Sequence, residues 1–206
     1  MATGNPHKLD EVRPVLRPLG IEVDGLEVLD SVPPEPEEDG TTFEDNARIK
    51  AVEYARVTGR ICLADDSGLE VDALGGEPGV YSARWSGHGG DREERDRANN
   101  DKLVDSIRSV PEEKRSARFV CAMCLAAPDG RVLAESRGVF EGMVVATPRG
   151  ANGFGYDPHI QVLGDHRTSA ELTPEEKNAR SHRGEASRAM ADLISRGALD
   201  GLQPSD

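Results

Sequence analysis

The stretch that decides the fold runs from Phe119 to Phe140, FVCAMCLAAPDGRVLAESRGVF. An apolar run over Phe119–Ala127 predicts a strand, Pro128-Asp129-Gly130 a tight turn, and Val132–Phe140 a second strand. The middle of the chain therefore reads as a β-hairpin. Helical patterns flank it. Upstream, Thr42 with Asp45 three residues on forms a capping-box pattern, Ala47, Ala51, Tyr54 and Ala55 recur at helical spacing, and Gly59 closes the run. Ile61-Cys62-Leu63-Ala64 then predicts a short buried strand. Lys8 to about Arg17 predicts a helix weakened by Pro14, Ile21-Glu22-Val23 a short strand, and the polar residues 86–97 a lead into a helix over Ala98–Arg108. Downstream, Thr173 caps a helix with Pro174 first and Glu176 third. Ala186, Ala189, Met190 and Leu193 give the last helix one apolar face. Helices alternating with strands around a central hairpin predict an α/β fold with a mixed sheet.

The chain has 206 residues, enough for one domain or one domain with a smaller lobe. Its 25 Lys and Arg against 38 Asp and Glu give a formal charge of −13. That balance disfavours a long polyanion as partner, because non-specific nucleic-acid binding rests on phosphate neutralisation by basic residues. A small anion remains compatible where basic residues converge. No apolar run approaches the length of a membrane span, and no secretory leader is visible, so the expected location is the cytosol. Cys62, Cys121 and Cys124 lie in apolar, strand-like runs and read as buried, reduced thiols. Cys121 and Cys124 have CxxC spacing, but residues three apart on a strand point to opposite faces, so a shared metal is not expected.

Four stretches suit chemistry. Asp65-Asp66-Ser67-Gly68 follows the 61–64 strand. Paired carboxylates at a strand end suit a hard cation such as Mg²⁺, which binds carboxylates and phosphates together; the same residues also suit a plain turn. The acidic loop at 33–40, PPEPEEDG, offers Glu37, Glu38 or Asp39 as a third carboxylate, or is only a solvated surface. Thr3-Gly4-Asn5-Pro6-His7-Lys8 runs into a helix start, where free N–H groups and a lysine suit an anion; an ordinary helix cap explains it equally. It is not a P-loop, since no GxxxxGK[ST] occurs. Gly153-Phe154-Gly155-Tyr156-Asp157-Pro158 sets two aromatics between glycines, suited either to base stacking or to a corner with core aromatics. Lys177 with Ser181-His182-Arg183 offers donors that would accept a 6-oxo purine and reject the amine of adenine. The alternative for these is a solvated helix face and a helix-end histidine.

Together these stretches resemble the inosine triphosphate pyrophosphatase family, also called Ham1-like. The carriers are Ala2–Lys8 (ATGNPHK), Glu38-Asp39-Gly40 with Phe43–Ala47 and Lys50, Ala64–Leu69 (ADDSGL) continuing to Leu74–Arg84, Gly153–Pro158, Ala170-Glu171-Leu172, Glu176-Lys177 and Ser181–Gly184. They cover nearly the whole chain in order. The resemblance implies one domain over 1–206, two lobes around a central cleft, and a homodimer. It implies hydrolysis of ITP, dITP and XTP to the monophosphate and pyrophosphate with Mg²⁺, clearing deaminated purines from the nucleotide pool.

By the same resemblance, Thr3, Gly4, Asn5, Pro6, His7 and Lys8 would bind the triphosphate. Glu38 and Asp66 would hold Mg²⁺, Asp66 would accept the proton, and Asp65 would support it. Ser67 would touch substrate, and Lys50 and Arg84 would face the phosphates. Phe154 would stack on the base, with Gly155, Tyr156 and Asp157 lining its pocket. Lys177, His182 and Arg183 would read the 6-oxo group. Relatives carry a short apolar strand before the ATGN run, where this sequence has only Met1 and Ala2; either the true start lies further upstream, or most of the first strand is absent, in which case a less firmly anchored phosphate loop is expected. The competing functions are a pyrophosphatase for modified pyrimidine nucleotides and a silent nucleotide-binding protein.

Overall fold

In a computed structural model, which describes residues 1–200, four strands form one sheet in the order β1-β2-β3-β4. They are β1 (Cys62–Val71), β2 (Ser116–Ala126), β3 (Val132–Val144) and β4 (Ile160–Val162). The hairpin forms where expected. Ala127 N–H donates to Arg131 C=O at 2.9 Å and Gly130 N–H to Ala127 C=O at 2.8 Å, which closes the turn. Both strands extend beyond their apolar cores, because alternating polar residues continue the ladder. β3 pairs antiparallel with β4, Val144 opposite Ile160.

Among the described residues, five α-helices accompany the sheet: α1 (Pro6–Leu16), α2 (Phe43–Thr58), α3 (Arg92–Ser106), α4 (Pro174–Arg180) and α5 (His182–Leu193). The α/β class is thus observed. α1 starts earlier than periodicity suggests, because Asn5 caps it: its side chain accepts from His7 N–H at 3.1 Å. Pro14 stands inside α1 without ending it. α3 starts six residues before the expected Ala98, because Asp91 and Glu94 make a reciprocal capping box. Its low apolar content hid it, for only Asn99 and Leu103 are buried. Ile21-Glu22-Val23 forms no strand.

The chain folds as two compact units. Among the described residues, the first comprises 1–66, 122–138 and 183–200; the second comprises 67–121 and 139–182. In the first, α2 buries Phe43, Ala47, Ala51, Tyr54 and Ala55 on one face, and its Thr42 cap accepts from Asp45 N–H. In the second, Leu69, Val71, Leu103, Phe119, Tyr156 and Leu172 belong to one apolar cluster. All three cysteines are buried and free. Among the described residues, no helix is long and apolar enough to cross a membrane.

Candidate functional site

Asp65 and Asp66 do not lie at a strand end or in a turn: β1 continues through them to Val71. Pairing holds the backbone extended, so adjacent side chains point to opposite faces and the two carboxylates serve separate networks. Asp65 is wholly buried, with Lys8 Nζ at 3.0 Å and Arg183 Nε and Nη2 each at 3.2 Å. Burial alone would raise its pKa. The charges of Lys8, Arg183 and Lys50 outweigh that and hold the carboxyl well below the usual range. Glu11, one turn along α1 from Lys8, receives Arg183 Nη1 at 2.6 Å. Breaking a buried set of this kind by removing one partner costs about 3–5 kcal/mol.

Asp66 faces α2. Lys50 Nζ donates to its Oδ1 at 3.1 Å and Asn46 Nδ2 to its Oδ2 at 3.2 Å. Lys50 also reaches Glu38 Oε1 at 3.2 Å. Burial raises the Asp66 carboxyl, and the nearby charges of Lys50 and Lys8 do not fully offset it. Burial works against the Lys50 ammonium, but Asp66, Asp65 and Glu38 raise its pKa on balance. Of the acidic loop, Glu38 turns inward while Glu37 and Asp39 are exposed. Gly40 makes this possible: its N–H donates to Asn46 Oδ1 at 2.9 Å, and a Cβ there would lie 2.5 Å from that oxygen.

Thr3–Lys8 forms the loop and first turn of α1. Thr3 Oγ1 accepts from Asn5 N–H at 3.1 Å, Gly4, Pro6 and His7 are exposed, and Lys8 is half-buried on Asp65. Ala2 is buried, and its N–H donates to Leu63 C=O at 2.8 Å, which pins the loop to β1.

In the second unit the two aromatics of the loop differ in burial. Tyr156 is a core residue whose hydroxyl donates to Ser82 C=O at 2.9 Å, and burial raises its pKa. Phe154 is half-buried, with Lys177 Nζ 5.1 Å from its ring centre. Asp157 is buried and joins the loop to α4: its Oδ2 accepts from Lys177 Nζ at 2.6 Å and from Phe154 N–H at 2.9 Å, and its Oδ1 from Ser169 Oγ at 2.7 Å. Gly153 has φ +77°, and a Cβ there would sit 2.1 Å from Asp157 Oδ2. His182 is buried and stacks on Phe119, centroids 5.1 Å apart. Ser67 lies half-buried on β1, and Arg84 is exposed beside the Tyr81 ring at 5.5 Å.

The expected residues thus gather in two sets. Lys8, Glu38, Lys50, Asp65, Asp66 and Arg183 form a charge network in the first unit. Phe154, Gly155, Tyr156, Asp157 and Lys177 share a loop-and-helix cluster in the second, where His182 and Arg84 make separate contacts. Within the first of these sets the ion pairs fall into two groups, Lys8 and Arg183 on Asp65, and Lys50 on Asp66 and Glu38. Arg183, expected among the base readers, makes its ion pairs with Asp65 and Glu11. Asn46, Glu11 and Ser169 were not expected. The one available signal was Asn46 four residues before Lys50, two polar residues on the apolar face of α2.

Glu38 and Asp66 offer carboxylate oxygens, the donor type that suits Mg²⁺. Both carboxylates already converge on one cation, the Lys50 ammonium. No group of three or more acidic, His or Cys residues forms a full cage among the described residues, and Mg²⁺ with phosphates needs only one or two protein carboxylates.

A model of the Ham1 family matches residues 1–193. A relative from Exiguobacterium named dITP/XTP pyrophosphatase is 50% identical over 195 residues, 94% of this chain and 95% of its own length. One of the same name from Corynebacterium efficiens is 49% identical over 202 residues, with coverage of 94% and 95%. Among solved structures, a Ham1 protein from Coxiella burnetii superposes with a TM-score of 0.84 at 38% identity, covering 95% of this chain and 97% of that one.

Proposed function

Because the chain belongs to the Ham1 family, we propose that it hydrolyses triphosphates of deaminated purines, ITP, dITP and XTP, to the nucleoside monophosphate and pyrophosphate. The observation that carries this is the near-full-length likeness to proteins named dITP/XTP pyrophosphatase.

The geometry supplies parts for each task. The Thr3–Lys8 loop, with its helix-start N–H groups, takes the phosphates. Asp66 takes the proton of the water attacking the α-phosphorus. Its raised pKa suits a general base, and Lys50 holds it in place. Asp65 carries the opposite duty: with a depressed pKa it stays ionised and fixes Lys8 and Arg183. Mg²⁺ on Glu38 and Asp66 would neutralise phosphate charge. Phe154 offers a stacking face, and Lys177, poised by Asp157, offers the N–H donors that prefer a 6-oxo group to the amine of adenine. The family resemblance assigns further substrate contacts to Ser67, Arg84 and His182, and assigns Arg183, which here pairs with Asp65 and Glu11, to the base. Action on a nucleotide pool suits a cytosolic location, and the family resemblance adds a homodimer.

The test is pyrophosphate release from ITP, dITP, XTP, ATP, GTP and dTTP with Mg²⁺, and again with EDTA. Release confined largely to ITP, dITP and XTP, and lost with EDTA, is expected. Equal release from ATP, or preference for dTTP, overturns the assignment.

A further inference from the structure

Phe154 stands between two glycines in left-handed conformations, Gly153 at φ +77° and Gly155 at φ +61°. Glycine backbone is permissive, so the direction of the ring depends on what grips the loop from outside. One grip is Asp157, through the Phe154 N–H. The other comes from α3. Asp96 Oδ2 accepts from Gly155 N–H at 3.1 Å, and Asn100 Nδ2 donates to Gly155 C=O at 3.0 Å. Both backbone polar groups of one residue are thus held by one helix. A turn earlier, the Arg92 guanidinium lies over the Phe154 ring, 4.6 Å from its centre. Arg92, Asp96 and Asn100 are four residues apart, so they share a face. Arg92 Nε also lies 3.8 Å from Asp96 Oδ2.

α3 is itself fixed. Asn99 Nδ2 donates to Ser82 C=O at 3.2 Å and to Ala83 C=O at 3.3 Å, its Oδ1 accepts from Ser86 N–H at 2.8 Å, and Lys102 Nζ donates to Trp85 C=O at 2.7 Å. A polar helix with two buried side chains is therefore tied down at one face and grips the aromatic loop with another.

We infer that Arg92, Asp96 and Asn100 are positioning residues for purine recognition: α3 clamps Gly155, Arg92 stacks on Phe154, and together they hold the ring ready for the base before substrate arrives. A ring fixed in advance loses less freedom when the base stacks, and a planar guanidinium suits that stack. The inference rests on the proposed base-stacking role of Phe154.

The experiment compares wild type with Arg92→Gln, Arg92→Lys and Asn100→Ala. It reads ITP kinetics, calorimetric binding of IMP, inhibition by pyrophosphate, and melting temperature. The Arg92 side chain is 37% exposed, so its variants can fold even where Asn100→Ala does not. Arg92→Gln and Asn100→Ala are expected to raise KM for ITP and weaken IMP by about 10-fold, the scale of a lost base–aromatic contact. kcat should stay within about 2-fold, as for a lost uniform-binding interaction. Inhibition by pyrophosphate, which has no base, should not change, and Arg92→Lys, which keeps the charge but not the planar stack, should recover only part of the loss. A lower melting temperature with unchanged KM and IMP affinity overturns the inference while the proposed function stands. A wild type that binds IMP but releases no pyrophosphate from ITP overturns the proposed hydrolysis instead, and the variants' IMP affinities still decide the inference. A wild type that does not bind IMP overturns the inference too.

Discussion

At the scale of single residues, two neighbouring aspartates have opposite chemistry because they stand on opposite faces of one strand. Asp65 meets Lys8 and Arg183 and is held ionised. Asp66 meets one lysine and one amide, and burial raises its pKa. That contrast supports Asp66, rather than Asp65, as the proposed proton acceptor. Asp66→Asn keeps the shape and its Oδ1 can still accept from Lys50, but its Nδ2 then meets the Asn46 Nδ2 donor, and it cannot take a proton. Turnover of ITP is expected to fall at least about 100-fold, the scale of general-base catalysis, with the fold retained at a lower melting temperature. Steady-state rates beside a thermal melt check this, and wild-type turnover would remove Asp66 from the role.

At the scale of elements, α2 is a positioning device. Its Asn46 and Lys50 both address Asp66, and its first turn is fixed by the Thr42 cap. Thr42→Ala is expected to lower stability by about 1 kcal/mol, the usual worth of such a cap, and Thr42→Ser to restore it. Denaturant midpoints measure both; equal midpoints for Ala and wild type would show that tertiary packing alone holds the helix end. The elements also separate what periodicity reveals from what it hides. α2 and the hairpin were legible, since each has an apolar pattern with clear punctuation. α3 was half-legible: its capping box was written in Asp91 and Glu94, but its polar first turns carried no apolar period. The strand expected at 21–23 was wrong, because three alternating residues are too few to specify pairing that must come from a partner.

At the scale of the whole molecule, the burial of all three thiols is a property of folding rather than of any local motif. Cys62, Cys121 and Cys124 are at most 8% exposed, and burial pushes the Cys124 thiol up to about 12. At about pH 8.5, where a free thiol is half ionised, a disulfide-exchange reagent is expected to leave the native protein untouched and to react with three thiols after denaturation. Rapid reaction of any thiol in the native protein would contradict the packing of β1 and β2.

The sequence by itself determined the α/β class, the central hairpin, the capped helices α2 and α4, and the set of residue types that resembles a Ham1-like phosphate and purine site. Those features are local or periodic, and capping, turn and alternation rules act within a few residues. Only the tertiary structure decided that Asp65 and Asp66 lie inside a strand and serve separate networks, and that Glu38 rather than Glu37 or Asp39 turns toward Lys50. It also decided that Tyr156 is core while Phe154 is not, that Arg183 pairs with Asp65 and Glu11, and that α3 grips Gly155. Each of these joins residues far apart in the chain, from 12 positions between Glu38 and Lys50 to 172 between Glu11 and Arg183. Desolvation and charge pairing over such separations exist only once the chain has folded, and they carry no periodic trace in the sequence.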